Sequence, residues 1–502
     1  MADLRTQLRA YVEATIERVD AADMIAARAA APRPVWKRRE WRRSVVIAFG
    51  AAAVVLVLVG GIVLLSRWLG QGQPAVTTVA TTTTTLPATS TTTTPPTTTT
   101  TTLPPTTTTA PVLDPAAAAA WGAFTLILPE EDPASFPGGG FAVGGPAASE
   151  TLVVAVGHAM GSPDNYMPDG LVWVSTDGLT WERVSDPDDL AYGGKIMGMV
   201  AAAGPGFVAG GLSCDTEERC DYGGYVAALW TSVDGRDWSR VPIDPELFGG
   251  AGEIRDLLAR PSGILAIARD YAGDGRWAVL SSPDGLTWER AWTGDGAGMA
   301  SALAESSVGL VAIGNEPLDT GFAIGAVWTS ADGTEWQRVP HDPEVFGDGR
   351  EATWNMIDVA AGAAGFVAVG TDGTDAIVWI SPDGVAWERV PHDPEAFSGT
   401  SMSRVIPWGS GYLAAGPEQA IGEDLGGPVA GMPSAPSRPT IWVSPDGRTW
   451  HRIGIGDENA VGEVWGLGEF RGMVLALGLH GTLMDNQEAI WINQRPPQPT
   501  GE

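Results

Sequence analysis

Five side chains in this chain have the chemistry to hold a polar ligand and fall in one recurring kind of segment: Arg255, Asp256, Asp358, Arg404 and Trp465. Carboxylates and guanidiniums hydrogen-bond hydroxyls and ions, and an indole offers an apolar platform with one N–H donor. Asp256 and Asp358 are also the pair that a glycosidase would need, one as acid and one as base or nucleophile. The plainer reading is a water-lined channel with local ion pairs. Other reactive residue types are sparse. Cys214 and Cys220 are the only cysteines, with five residues between them, and suit a local disulfide in an oxidising compartment. They lack the further Cys or His ligands that zinc requires. His341 and His392 occupy matching slots in a repeated Val-Pro-x-Asp-Pro-Glu phrase, which reads as a connector with a Phe plug rather than a shared surface site. Acidic turns at 270–274 and 372–375 could take calcium, although neither has the spacing of a calcium loop. There is no phosphate loop with its Lys, no His-Glu-x-x-His and no Gly-x-Ser-x-Gly. No cofactor is indicated beyond that calcium option.

The elements that would position these residues are announced by a phrase repeated six times, Ser-x-Asp-Gly-x-x-Trp. Its Asp, Gly and Trp are Asp177, Gly178 and Trp181; Asp234, Gly235 and Trp238; Asp284, Gly285 and Trp288; Asp332, Gly333 and Trp336; Asp383, Gly384 and Trp387; and Asp446, Gly447 and Trp450. The Trp-to-Trp steps are 57, 50, 48, 51 and 63 residues. A period near 50 in a strand-rich chain predicts propeller blades. Each Asp-Gly lies between strand-like runs, as in Val378-Trp-Ile-Ser before and Trp387-Glu-Arg-Val after. This is hairpin chemistry, with Asp bonding turn backbone and Gly at positive φ. A Gly-Phe-Val-Ala-Val-Gly type strand recurs seven times, and a strand opening on Trp or its substitute recurs at Trp173, Trp230, Val279, Trp328, Trp379, Trp442 and Trp491. Seven blades are therefore predicted. The last blade lacks its outer strand at the C-terminus. Trp121-Gly-Ala-Phe-Thr-Leu-Ile-Leu128 supplies a candidate, with Trp121 matched to Trp387. Inner strands are expected near 196–201, 254–259, 299–304, 355–360, 402–407 and 464–468, which places the five candidate residues around the axis.

The phrase resembles the Asp-box, or bacterial neuraminidase repeat, found in sialidases and in many non-enzymatic propellers. It is one residue shorter between Ser and Trp than the usual form. The resemblance implies a sialidase-like propeller in which the boxes are peripheral and structural. Sialidases use an arginine triad with a Tyr–Glu nucleophile pair and an Asp acid/base. The expected inner strands hold only two arginines and no Tyr, so a non-catalytic member is the expectation, and function must be argued from the site.

The rest of the chain places this domain. Residues 1–43 read as a cytosolic helical region, 44–66 as an uncharged transmembrane helix, 67–113 as a disordered Thr/Pro stalk, 114–495 as the propeller and 496–502 as a tail. About 20 apolar residues span a bilayer. The basic cluster Lys37-Arg-Arg-Glu-Trp-Arg-Arg43 keeps the N-terminus inside. A stalk of this composition reaches on the order of 100 Å. Residues 1–67 hold 11 basic and 6 acidic residues, and the remainder 19 and 54, a balance of −35. Such a domain repels nucleic acid and anionic surfaces. Basic residues are almost all Arg, which fits a GC-rich bacterial genome. The expectation is an all-β, seven-bladed ectodomain on a single-pass anchor, with the N-terminus cytoplasmic. It would act as a binding module for a protein or cell-envelope glycan outside the cell, with an envelope glycosidase or a sensor signalling through the N-terminal helix as alternatives.

Overall fold

Strands such as Ala-Ile-Val-Trp-Ile-Ser at 376–381 are buried at every position, because each is covered on both faces by a neighbouring sheet. The computed structural model describes 124–127, 140–142 and 144–494, except 160–168, 185–194, 215–224, 243–246, 248–251, 271–275, 295–297, 351, 420–436, 457–459 and 483–484. The expected helical region, membrane span, stalk and tail lie outside the described residues. Among those described, no helix is long and apolar enough to cross a membrane.

Seven antiparallel sheets form the blades. In blade 1 the inner strand is interrupted, β2 (Gly140–Ala142) and β3 (Ala147–Ala148), followed by β4 (Val153–Ala159), β5 (Asp169–Ser175) and β6 (Glu182–Arg183). Blade 2 has β7 (Lys195–Ala201) to β10 (Trp238–Arg240), and blade 3 has β11 (Gly252–Arg260) to β14 (Glu289–Thr293). Blade 4 runs from β15 (Met299–Ser306) to β18 (Gln337–Arg338), and blade 5 from β19 (Asn355–Gly362) to β22 (Glu388–Arg389). Blade 6 runs from β23 (Arg404–Trp408) to β26 (His451–Gly454). Blade 7 holds β27 (Gly462–Phe470), β28 (Met473–Thr482) and β29 (Asp485–Asn493), and its outer strand is β1 (Thr125–Ile127). The inner strands touch in succession, and β27 touches β3, closing a ring.

The core is divided among the seven blade-to-blade interfaces, each filled by its own apolar cluster. Trp379, for example, joins side chains of β19 and of β20 (Gly365–Thr371) in its own blade to blade 4. A buried Trp removes ~150–250 Å² from water, on the order of 4–6 kcal/mol of transfer free energy. Blade 3 has Val279 in that slot, and Trp277, two residues earlier, fills the space against Trp292 and Trp328 at 4.8 and 4.9 Å between ring centres. The Asp-Pro-Glu connectors are single helical turns, α1 (Pro343–Phe346) and α2 (Pro394–Phe397). Asp342 and Asp393 cap them, and Phe346 and Phe397 are buried, as expected of plugs. The third-strand Trp of the following blade clamps each one: Trp379 Nε1 donates to Val345 O and Trp442 Nε1 to Ala396 O, both at 2.7 Å.

The N-terminal strand does complete blade 7, with Thr125, Leu126 and Ile127 opposite Ile492, Trp491 and Ile490. The match of Trp121 to Trp387 is corrected by three residues. Arg389 lies opposite Trp379 in blade 5 just as Leu126 lies opposite Trp491, so Phe124 takes the place of Trp387. Phe124 and Leu126 pack on the wedge between blades 6 and 7, and Ile127 on that between 7 and 1. Here no Asp-Gly turn precedes the strand, so no glycine carbonyl needs an indole N–H, and Phe suffices. Arg471 reinforces the same seam from a left-handed backbone (φ 51°), donating to Thr176 O and Glu150 O at 2.9 and 3.1 Å.

Candidate functional site

The inner edge of each blade is unpaired and lines the axis. Its strand carries an irregularity at a matching level in blades 2, 3, 4, 5 and 7. The extra residues are Gly198, Arg255, Ser301, Ile357 and Trp465. A bulge bends the strand and re-aims its side chains, and bulges gather beside sites. Two of these side chains are held from two residues back: Arg255 pairs with Glu253 at 2.5 Å, and Trp465 Nε1 donates to Glu463 at 3.0 Å. Neither partnership was anticipated, although Glu at i−2 on the same strand was visible.

One residue further on, the bulges of blades 3 and 5 present Asp256 and Asp358. Asp256 Oδ2 accepts from Leu303 N at 2.7 Å, and Asp358 Oδ2 accepts from Val405 N at 2.8 Å. Each carboxylate thus caps a free N–H on the inner edge of the next blade. Arg404, at the start of β23, donates to Ser403 O at 3.0 Å, and its charge acts on both carboxyls. Burial, with the Asp358 charge adding to it, pushes the Asp256 carboxyl up to about 7. Burial also raises Asp358, opposed by Arg404 and the Val405 N–H. Both residues are half-buried: their surface opens only to the narrow axis, and protein on all sides withholds bulk solvation. Asp256, Asp358 and Arg404 therefore form one coupled group, while Arg255 and Trp465 are each tied to their own strand. Arg260, at the turn end of β11, is a third inner-strand arginine beyond the expected segment. It is committed to Glu305 at 2.8 Å and to Asp332 O.

The repeated turns are self-contained. In five of the six, the Asp Oδ1 accepts from the backbone N–H groups two and three residues on, at 2.7–2.9 Å. In all six, the Trp Nε1 donates to the Gly carbonyl at 2.7–3.1 Å. Those N–H donors hold the carboxyls of Asp177, Asp234, Asp284, Asp332 and Asp383 below the usual range, Asp177 at about 2. The glycines sit at φ 73–95°, with the preceding blade so close that a Cβ on Gly384 would lie 2.8 Å from Val311 Cγ1. The phrase thus seals one blade to the next and leaves no acid free for chemistry.

Residues 271–274 of the first acidic turn lie outside the described residues; the other described candidates are engaged. Asp372 accepts from Thr374 N and Asp375 N, and Asp375 from Gly399 N. Among the described residues no group of three His, Cys, Asp or Glu could hold a metal. His341 and His392 stack near Phe346 and Phe397 of their connectors. Cys214 is disulfide-bonded, and Cys220 lies outside the described residues. A concavity of about 690 Å³ opens between blades 2 and 3, lined by Pro205, Pro261, Ile264 and Leu286 among others. None of the five candidate axis residues lines it.

No family model matches the chain, and no curated protein matches it by sequence. Solved structures similar to it include a protein of unknown function from Dyadobacter fermentans, at 15% identity over 73% of this chain and 97% of that one, TM-score 0.39. A Penicillium chrysogenum α-L-arabinanase complexed with arabinobiose is 12% identical over 74% and 97%, TM-score 0.39. Trypanosoma rangeli sialidase is 15% identical over 73% and 57%, TM-score 0.36. At these identities and TM-scores the likeness says nothing of function.

Proposed function

We propose that the chain is a membrane-anchored, extracytoplasmic binding module, a non-catalytic Asp-box propeller that receives a cell-envelope glycan or protein partner at its axis. The observation that carries this reading is the convergence of Asp256, Asp358 and Arg404 from blades 3, 5 and 6. Arg255 and Trp465 stand at the inner-strand bulges of blades 3 and 7, and the reading takes them as further contacts. Main-chain bonds to Leu303 and Val405 fix the two carboxylates in place, which suits recognition because little side-chain entropy remains to be lost on binding. The test is a glycan-array screen of the full-length chain in detergent micelles, with and without calcium, followed by cross-linking on whole cells. The reading expects saturable binding to one glycan class or one envelope protein, weakened at least tenfold by Arg404→Ala, which removes a charge-assisted contact of about 1.5–3 kcal/mol. Binding that Arg404→Ala leaves unchanged places the partner elsewhere and rejects the axis.

A second reading, envelope glycoside hydrolysis, is favoured by one observation. Asp256 keeps its proton to about pH 7 beside a second carboxyl, the division of labour between acid and base that glycosidases use. It expects turnover of whichever glycan binds, abolished by Asp256→Asn with binding retained. A bound glycan that stays intact excludes it.

A further inference from the structure

One phrase, Val-Pro-His-Asp-Pro-Glu-x-Phe, builds both helical connectors, at 339–346 and 390–397, yet its histidine meets different surroundings in each. Beside α1 the carboxylate that acts on His341 from the neighbouring strand is Glu316, and Arg338 takes it at 3.3 Å. In blade 5, Arg389 stands where Arg338 stands in blade 4, opposite the third-strand Trp. Arg389 lies instead over the Trp354 ring, 4.9 Å from its centre. The carboxylate beside His392 is therefore not claimed by that arginine. It is Asp375, in the turn between β20 and β21 (Ala376–Ser381).

Three donor atoms meet there. His392 Nε2 lies 3.2 Å from Ser398 Oγ and 3.5 Å from Asp375 Oδ2, and Ser398 Oγ lies 3.5 Å from Asp375 Oδ2. Two of these spacings are long for hydrogen bonds. All three are close to what a small metal ion imposes, since tetrahedral bonds of about 2.0–2.1 Å hold neighbouring ligands about 3.3–3.4 Å apart. Imidazole and carboxylate are ordinary ligands of such ions, and the hydroxyl adds a neutral third. The trio is not a nucleophile relay, because a relay carboxylate bonds the ring nitrogen remote from the serine, whereas Asp375 and Ser398 approach the same Nε2. Asp375 Oδ1 accepts from Gly399 N at 2.9 Å, which fixes the carboxylate as outer hydrogen bonds fix metal ligands. The His392 and Asp375 side chains are 43% and 25% exposed, so an ion can enter from solvent. Arg452 donates to Ser398 O at 3.0 Å and has Glu418 at 3.8 Å to answer its charge.

We propose that His392 Nε2, Asp375 Oδ2 and Ser398 Oγ form an exchangeable site for one divalent transition-metal ion of the zinc type, with water completing its coordination. An ion held there ties the α2 connector to the β20–β21 turn. The site is independent of the axis reading. The test is calorimetric titration of Zn²⁺ into the full-length chain in detergent micelles after chelator treatment, at about 0.15 M salt so that exposed carboxylates are screened. Few side chains compete, since the chain has five histidines and two cysteines, and Cys214 is in a disulfide. The expected result is one saturable equivalent, weakened at least tenfold by His392→Ala and by Asp375→Asn, and about threefold or more by Ser398→Ala. Asn keeps an Oδ1 for Gly399 N, so the fold is retained, and metal-free melting curves check this for each variant. His341→Ala, in the matching slot of the other connector, should bind as the native chain does. Absence of a saturable equivalent overturns the proposal, as does binding unchanged in His392→Ala or in Ser398→Ala, or a loss in His341→Ala as large as that in His392→Ala.

Discussion

Asp256 and Asp358 each accept a backbone N–H from the next blade while lining a poorly solvated axis. The folded protein holds the Asp256 proton more tightly than the unfolded chain, raising its pKa from 3.8 to about 7. Linkage then sets the sign: the stabilisation is fully present below pH 3.8 and is lost as pH rises through about 7. Asn mimics the protonated acid and its Oδ1 can still accept from Leu303 N. Asp256→Asn should therefore melt about 2–4 °C above the native protein at pH 8, with the gap closing toward pH 4. An equal gap at both pH values would remove Asp256 as its cause. Five of the turn carboxylates have the opposite sign. Asp177 is lowered from 3.8 to about 2, so its contribution is present above pH 3.8 and lost as pH falls toward 2. Asp177→Asn should cost stability at pH 6 and markedly less at pH 2, read from melting curves at both. The chemistry of the turns was legible, since Asp-Gly between strands has few other uses. The bonds of Asp256 and Asp358 were not. They join residues 47 apart, an offset set by the ring and by no local pattern.

At the scale of elements, strand periodicity and the position of Trp in each repeat carried most of the fold, because both faces of every blade are buried. The register of β1 was misread where residue identity stood in for geometry: Trp121 matched the repeat by type, whereas pairing with β29 selects Phe124. The connectors show how a short phrase becomes structure. Asp caps, Pro opens the turn, Phe plugs the wedge, and the next blade's Trp bonds the helix carbonyl. Trp379→Phe keeps most of the ring volume and leaves Val345 O without its 2.7 Å partner. A buried acceptor so abandoned costs about 1–3 kcal/mol. The sequence has no Asp-Pro-Glu phrase ahead of blade 4, so Trp328→Phe should cost less. Chemical denaturation of the two variants compares them directly, and equal losses would show that packing, not the N–H bond, dominates at Trp379.

Closure is the property of the whole molecule. An open stack of blades would expose two sheet faces and an unpaired edge at blade 7. Here a three-residue strand from the far end of the chain prevents both. Its backbone bonds contribute about 0.5–1.5 kcal/mol each, and Phe124, Leu126 and Ile127 about 1.5–3 kcal/mol each if fully buried. These three are only partly buried, so roughly 5 kcal/mol rests on the strand, comparable to the net stability of many domains. Deleting 121–130 should therefore lower the melting temperature of the entire propeller and not merely loosen blade 7. Arg471→Ala removes the two carbonyl bonds across the same seam while keeping a left-handed residue, so it should act in the same direction and more weakly. The decisive variant returns the strand in another place. Residues 121–130 moved to follow Asn493 through a hairpin loop offer β29 the same side chains from the same side. If non-covalent closure is what the strand supplies, this rearranged chain regains the native melting temperature. If it melts like the deletion, the ring depends on the chain's continuous path from β1 into blade 1, and the strand pairing is incidental to stability.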